Sequence, residues 1–158
     1  MTVAHQIHLA TTETAEQVAA RVGAAFERAR LAEQPPALDE LLSRGGARTA
    51  RGTTVSVSAP EPTPFDVIDH EFGVPAKVRI WIEPDGDRPM AEQDDDIAAL
   101  LAGLLEDTPA DLVAVHNYET VWLIRRGGEL VLHEDPALWP DHRLALIKGP
   151  YRRESHQL

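Results

Sequence analysis

Histidines and carboxylates are the chain's main stock of reactive groups, because it has 7 His, 26 Asp and Glu, and no Cys. The histidines are His5, His8, His70, His116, His133, His142 and His156. His5 and His8 lie three apart in a strand-like segment, which points them to opposite faces, and His116 and Glu119 share that spacing. No His-Glu-x-x-His run and no cysteine pair supplies a zinc motif. A site from His70, Glu71 and His116 would require the fold to gather them. Asp94, Asp95 and Asp96 are hard-cation ligand types, but three acids at a helix start are accounted for by capping. Glu83, Asp85 and Asp87 alternate like the start of a calcium loop, without its twelve-residue spacing or terminal Glu. Ser43, Ser56, Ser58 and Ser155 sit in no nucleophile elbow. Gly45-Gly46 and Gly127-Gly128 are isolated pairs with no phosphate-binding pattern. Arg125-Arg126 and Arg152-Arg153 read as a solvated turn and a solvated tail. The reading assigns no catalytic residue, no metal ligand and no cofactor, and the chain is read as not an enzyme.

Charge gives a sharper signal. The formal net charge is −11. Residues 1–60 hold six acids and six bases, residues 61–119 hold fifteen acids and three bases, and residues 120–158 hold five acids and six bases. The middle segment therefore carries a net of −12. That argues against nucleic-acid binding, which needs positive potential, and suits a basic protein partner or a cation. The plainer alternative is an acidic solubilising surface. Asp85, Asp87 and Asp94, in a turn and at a helix start, are the candidate contact acids. Trp81 alternates with Lys77, Arg79 and Glu83 on the polar side of its strand and is the candidate interface anchor. Trp122 is read as core. The start lacks a basic region followed by an apolar run, and no apolar run approaches the roughly 20 residues of a membrane span. A cytoplasmic protein of one domain over residues 1–158 is expected, with residues 154–158 a frayed tail.

These residues must be positioned by elements that the patterning also shows. Leu112 to Asp135 is rich in Val, Leu, Ile and aromatics and is broken once, at Gly127-Gly128, which predicts a hairpin. A two-residue turn sets Arg126 opposite Glu129 as an ion pair, Ile124 opposite Val131, Leu123 opposite Leu132 and Trp122 opposite His133. Large apolar groups on both faces place this hairpin inside a sheet. Residues 3–10 predict a first strand. A helix follows, capped by Thr14 with Gln17 or by Thr12, carrying Val18, Val22, Ala25, Phe26 and Ala29 on one stripe and stopping at Pro35-Pro36. Leu38, Leu41 and Leu42 add a short helical turn. Thr53 to Ala59 and Val78 to Ile82 predict strands, joined through Pro60, Pro62 and Pro64. Asp94 to Asp96 open a second helix bearing Ile97, Leu100, Leu101, Leu104 and Leu105, ended by Thr108-Pro109. Leu144 to Ile147 reads as a last strand. The order β-α-β-β-α-β-β predicts an α+β fold: one antiparallel or mixed sheet with two main helices, ferredoxin-like and extended by the hairpin.

The stretch from Tyr118 to Leu132, continued by Leu138 to Leu144 and Gly149 to Arg153, resembles the small actinobacterial and myxobacterial proteins grouped as swarmer-exchanged-toxin immunity proteins. The opening His5-Gln6-Ile7-His8-Leu9 is similar to the first strand of that family, and the helix with Asp94-Asp95-Asp96 fits its place. The resemblance covers most of the chain, with residues 33–60 matching loosely. Where relatives carry a Phe-Arg-Leu-Asp-Lys-like strand, this chain reads Val78-Arg79-Ile80-Trp81-Ile82-Glu83-Pro84, without the Asp-Lys ending. If that ending touches a toxin in relatives, the partner here differs. The resemblance implies a non-enzymatic cytoplasmic immunity protein that binds and neutralises a cognate antibacterial toxin, and supplies no catalytic residue. The competing classes are a structural or regulatory binding domain and, behind it, a small-molecule-binding or hydrolytic enzyme.

Overall fold

The computed structural model describes residues 4–60 and 67–156. Val3, Pro62, Pro64 and the last two residues of the expected tail lie outside them. The elements are β1 (His5–Ala10), α1 (Ala15–Ala29), α2 (Leu38–Leu42), β2 (Ala47–Arg48), β3 (Thr54–Ser58), α3 (Val67–Phe72), β4 (Val78–Glu83), α4 (Met90–Asp107), β5 (Asp111–His116), β6 (Thr120–Arg126), β7 (Glu129–Leu132), α5 (Asp141–Leu144) and β8 (Arg152–Arg153). All eight strands join one sheet in the order β2-β3-β4-β1-β5-β6-β7-β8. The sheet is mixed because β8 runs parallel to β7 while the other neighbours are antiparallel. The element order is longer than the sequence predicts. The expected helical turn at Leu38, Leu41 and Leu42 is α2, whereas the two-residue strands and α3 carry too little periodicity to read.

One face of the sheet lies under the two long helices. Ile7, Leu9, Val55, Val57, Val78, Ile80, Ile82, Leu112, Ala114 and Leu123 meet Val18, Val22, Phe26, Ile97, Leu101 and Leu104 in the main core. Helix α1 starts with a complete capping box: Thr14 Oγ1 accepts from the Gln17 amide at 3.2 Å, and Gln17 Oε1 accepts from the Thr14 amide at 2.8 Å. It stops at Arg30, in the left-handed region at φ 54°, before the Pro35-Pro36 pair that was expected to end it. The start of α4 also differs. The helix begins at Met90 behind Pro89, so Asp94, Asp95 and Asp96 lie in its second turn and cap nothing. A proline set at the helix entrance was the operative signal.

The hairpin has the expected register, with Leu123 opposite Leu132, Ile124 opposite Val131 and Arg126 opposite Glu129. Gly127 and Gly128 take φ of 58° and 84°, the two positive values a tight primed turn needs. The expected Arg126–Glu129 ion pair is absent. Arg126 Nη1 donates instead to the Phe72 carbonyl at 2.7 Å, and Glu129 lies 3.5 Å from Arg152. Against β5 the register shifts, Ala114 facing Leu123 but Val115 facing Val121. Trp122 is thus the extra residue of a bulge, which turns it onto the helix side beside Leu123. Its ring meets Trp139 edge-on at 6.0 Å, and Trp139 Nε1 donates to the Trp122 carbonyl at 2.9 Å. Arg125, read as a solvated turn residue, is half-buried and donates to the carbonyls of Leu105, Thr108 and Ala110, tying β6 to the end of α4. Leu144 to Ile147 is no strand. It continues α5 as helical turns, Ala145 donating to Asp141 O and Ile147 to Leu144 O at 3.0 Å each. Beyond β8, the Glu154 amide donates to Leu132 O at 3.0 Å.

A candidate binding face

The second face of the sheet is divided. Over β5 and β6 it is apolar: Val113, Val115, Val121 and Ile124 are covered by Ile68, Phe72 and Val74 of α3 and the residues after it. Over β3 and β4 it is polar, and neither long helix covers it. The alternation that sends Val78, Ile80 and Ile82 into the core sends Arg79, Trp81 and Glu83 outward, each half-buried. Their cross-strand neighbours are Ser58, Ser56 and Thr54 on β3, and His8 and Gln6 on β1 lie opposite Arg79 and Trp81. Gln6 and His8 are themselves buried, with the His8 ring nitrogen 3.1 Å from Gln6 Oε1. Trp81 Nε1 donates to Glu83 Oε1 at 2.9 Å, which fixes the indole against the sheet. The end of α2 and the loop after it form a wall, enclosing a groove of about 620 Å³ between Leu42, Arg44, Ser58, Arg79, Trp81 and Glu83.

Asp85 and Asp87 follow at the end of β4. Asp85 pairs with Arg48 at 2.7 Å, and its Oδ1 accepts from the Asp87 amide at 2.9 Å. Asp87 is exposed. The loop that carries them is held by a residue without any local sequence signal. Buried Gln93 accepts from the Asp85 amide at 2.6 Å and donates to the carbonyls of Asp85, Arg88 and Pro89 at 2.8, 3.3 and 3.3 Å. Asp94 is on α4, in the helix layer, so the sheet separates it from Trp81. Burial pushes its carboxyl up despite the nearby Arg143. The neighbouring acids work inside the fold. Burial would raise Asp95, but hydrogen bonds from Arg143 at 2.6 Å and His142 at 2.7 Å outweigh it and hold Asp95 below the usual carboxylate range. Asp96 is buried, accepts from Thr49 Oγ1 at 2.8 Å and lies 3.6 Å from Arg51, and desolvation still leaves its carboxyl raised.

The histidines do not converge on a metal site. Among the described residues no group of three His, Cys, Asp or Glu side chains is placed to hold an ion. His5 and His116 do meet, which opposed strand faces did not foretell, because each pairs across the β1–β5 ladder on the helix side. No helix of the described residues is long and apolar enough to cross a membrane.

The sheet is thus buried on one side by two helices and carries a polar half-face on the other, with a pinned acidic loop at the end of β4. The chain belongs to the SitI3-like family of immunity proteins, whose family model matches residues 3–143. That span takes in both long helices and strands β1 to β7. Membership is consistent with a non-enzymatic, toxin-neutralising role. No curated protein and no solved structure matches the chain.

Proposed function

We propose that this chain is a cytoplasmic immunity protein that binds a cognate antibacterial toxin and blocks it by occupying its surface, without chemistry of its own. Family membership over most of the chain is the observation that carries the reading. The net of −12 in residues 61–119 supports a toxin with a basic face. Trp81, Asp85 and Asp87, at and after the end of β4, are the chain's contact residues, and Asp94 is a separate contact on the helix side of the sheet. The scaffold behind them is a single domain with a ferredoxin-like centre, in which β1, α1, β3, β4, α4 and β5 stack as strand order β3-β4-β1-β5 beneath two helices.

Co-expression tests the reading. The product of the gene adjacent to this chain's, taken as the candidate toxin and produced in a sensitive host, should stop growth alone and permit it when this chain is present, with the two proteins purifying as a complex. Growth arrest that persists with the chain abundantly and solubly expressed contradicts the proposal.

A further inference from the structure

The groove on the open half-face has a charge character opposite to that of the segment around it. Arg79 is half-buried on its floor and Arg44 is exposed on its rim. Among the described residues neither guanidinium has a hydrogen bond or ion pair. The carboxylate present, Glu83, already accepts the indole proton of Trp81. Ser56 and Ser58 add hydroxyl donors to the same floor. A guanidinium drawn partly out of water without an anion has given up hydration for nothing in return. Its planar fork matches a carboxylate through two parallel N–H···O bonds. The Trp81 ring beside it offers a flat apolar surface, the kind of anchor that dominates interfaces once desolvated.

We infer that this groove receives a carboxylate-bearing segment of the toxin, an Asp or Glu side chain on Arg79 with an apolar neighbour against Trp81. The inference rests on the toxin-binding reading above and adds a selectivity device to it. The acidic loop attracts basic proteins in general, whereas the groove accepts only a partner that also presents an acid at one place. A wrong basic partner leaves Arg79 unpaired or meets it with like charge, which is how a repulsive element creates specificity.

Calorimetric titration of the toxin that the co-expression experiment identifies into the wild-type chain, Arg79→Gln and Arg79→Lys tests this. Arg79→Gln should weaken binding by about 10- to 100-fold, through faster dissociation, with the melting temperature unchanged. Arg79→Lys keeps the charge and the aliphatic stem but loses the fork, and should weaken it less. If Arg79→Gln proves unstable, the Lys variant decides, since a wild-type affinity there removes the need for a fork. Exchanging the contacted toxin acid for Lys should restore binding to Arg79→Glu. A wild-type chain that does not bind the toxin overturns the toxin reading and this one with it. Binding by Arg79→Gln equal to wild type overturns the groove assignment alone. With that result, a Trp81 indole signal moved by millimolar phosphate identifies a small anion as the occupant, and a wild-type dimer dissolved by the substitution identifies a second copy of the chain.

Discussion

The imidazole of His5 stacks on that of His116, with ring centroids 4.4 Å apart and 18° between the planes, and Trp122 closes the stack edge-on at 5.0 Å from His5. Both rings are kept neutral. Burial, and secondarily the neighbouring His116, lowers the His5 pKa to about 3, and burial lowers His116 against a smaller opposing pull from Glu119. A folded pKa below the unfolded value of about 6.5 means that the unfolded chain binds the extra proton first. The stability from keeping His5 neutral is therefore full above pH 6.5 and is lost as pH falls toward 3. Urea denaturation from pH 7 to 4 should show unfolding free energy dropping by about 1.4 kcal/mol per pH unit from this one proton, once below the unfolded pKa. His5→Phe should remove one proton's share of that slope, and an unaltered slope would place the acid sensitivity elsewhere.

Helices α1 and α4 touch at Ala25 and Gly103. A Cβ added at Gly103 would stand 2.8 Å from the Ala25 Cβ. Replacing a helical glycine by alanine normally stabilises by about 1 kcal/mol. Here overpacking costs about 1–3 kcal/mol, because the obstructing methyl is fixed to a helix backbone and cannot swing aside. Gly103→Ala should consequently lower the denaturation midpoint, and Gly103→Ala with Ala25→Gly should recover it.

Leu101 is completely buried between α4 and the sheet. Leu101→Ala should cost about 2–5 kcal/mol, read from chemical denaturation. A midpoint and slope equal to wild type would contradict its place in the core.

Gln93 holds the loop of Asp85 and Asp87 through backbone contacts at 2.6 and 2.8 Å. Gln93→Leu keeps the volume but leaves those part-buried amide and carbonyl groups without their partner, at a cost of about 1–3 kcal/mol. Hydrogen exchange at residues 85–89 should accelerate more than exchange in β1. Toxin binding should weaken through slower association, as the acids lose a fixed position.

Asp85→Asn with Asp87→Asn should slow association with the toxin and flatten its salt dependence, while leaving dissociation nearly unchanged. Trp81→Ala should do the reverse, mainly speeding dissociation. Association and dissociation measured at two salt concentrations separate the two, and wild-type kinetics in both variants would move the interface to another surface.

Elements with a long pattern and a local stop were legible. The hairpin register followed from Gly127-Gly128, the capping box at Thr14 from its spacing, and the outward side of β4, with Arg79 and Trp81 on it, from alternation alone. What needed the third dimension was not. The bulge at Trp122 leaves no mark in a run where every residue is apolar or β-branched. Arg125 looked solvated because its partners are backbone carbonyls, which have no identity in sequence. Asp94 to Asp96 imitated a cap while Pro89 opened the helix. The groove combines β3, β4 and a wall from residues 42–44, and Gln93 reaches back across the loop by tertiary contact, so neither had a contiguous signature.

The central place of β1 has a consequence for how the protein is born. Its neighbours are β4 and β5, so a ribosome that has finished Ala10 must reach Val78 before either edge of β1 can be paired. At about 5–20 residues per second, that is several seconds during which a strand buried on both faces in the end waits without a strand partner. On the proposed reading, the strand that ends this wait, β4, is also the one that carries the contact residues. A nascent chain that binds through β4 has no competence toward a toxin before it has closed its own centre, and protection of a newly exposed cell then depends on molecules already completed.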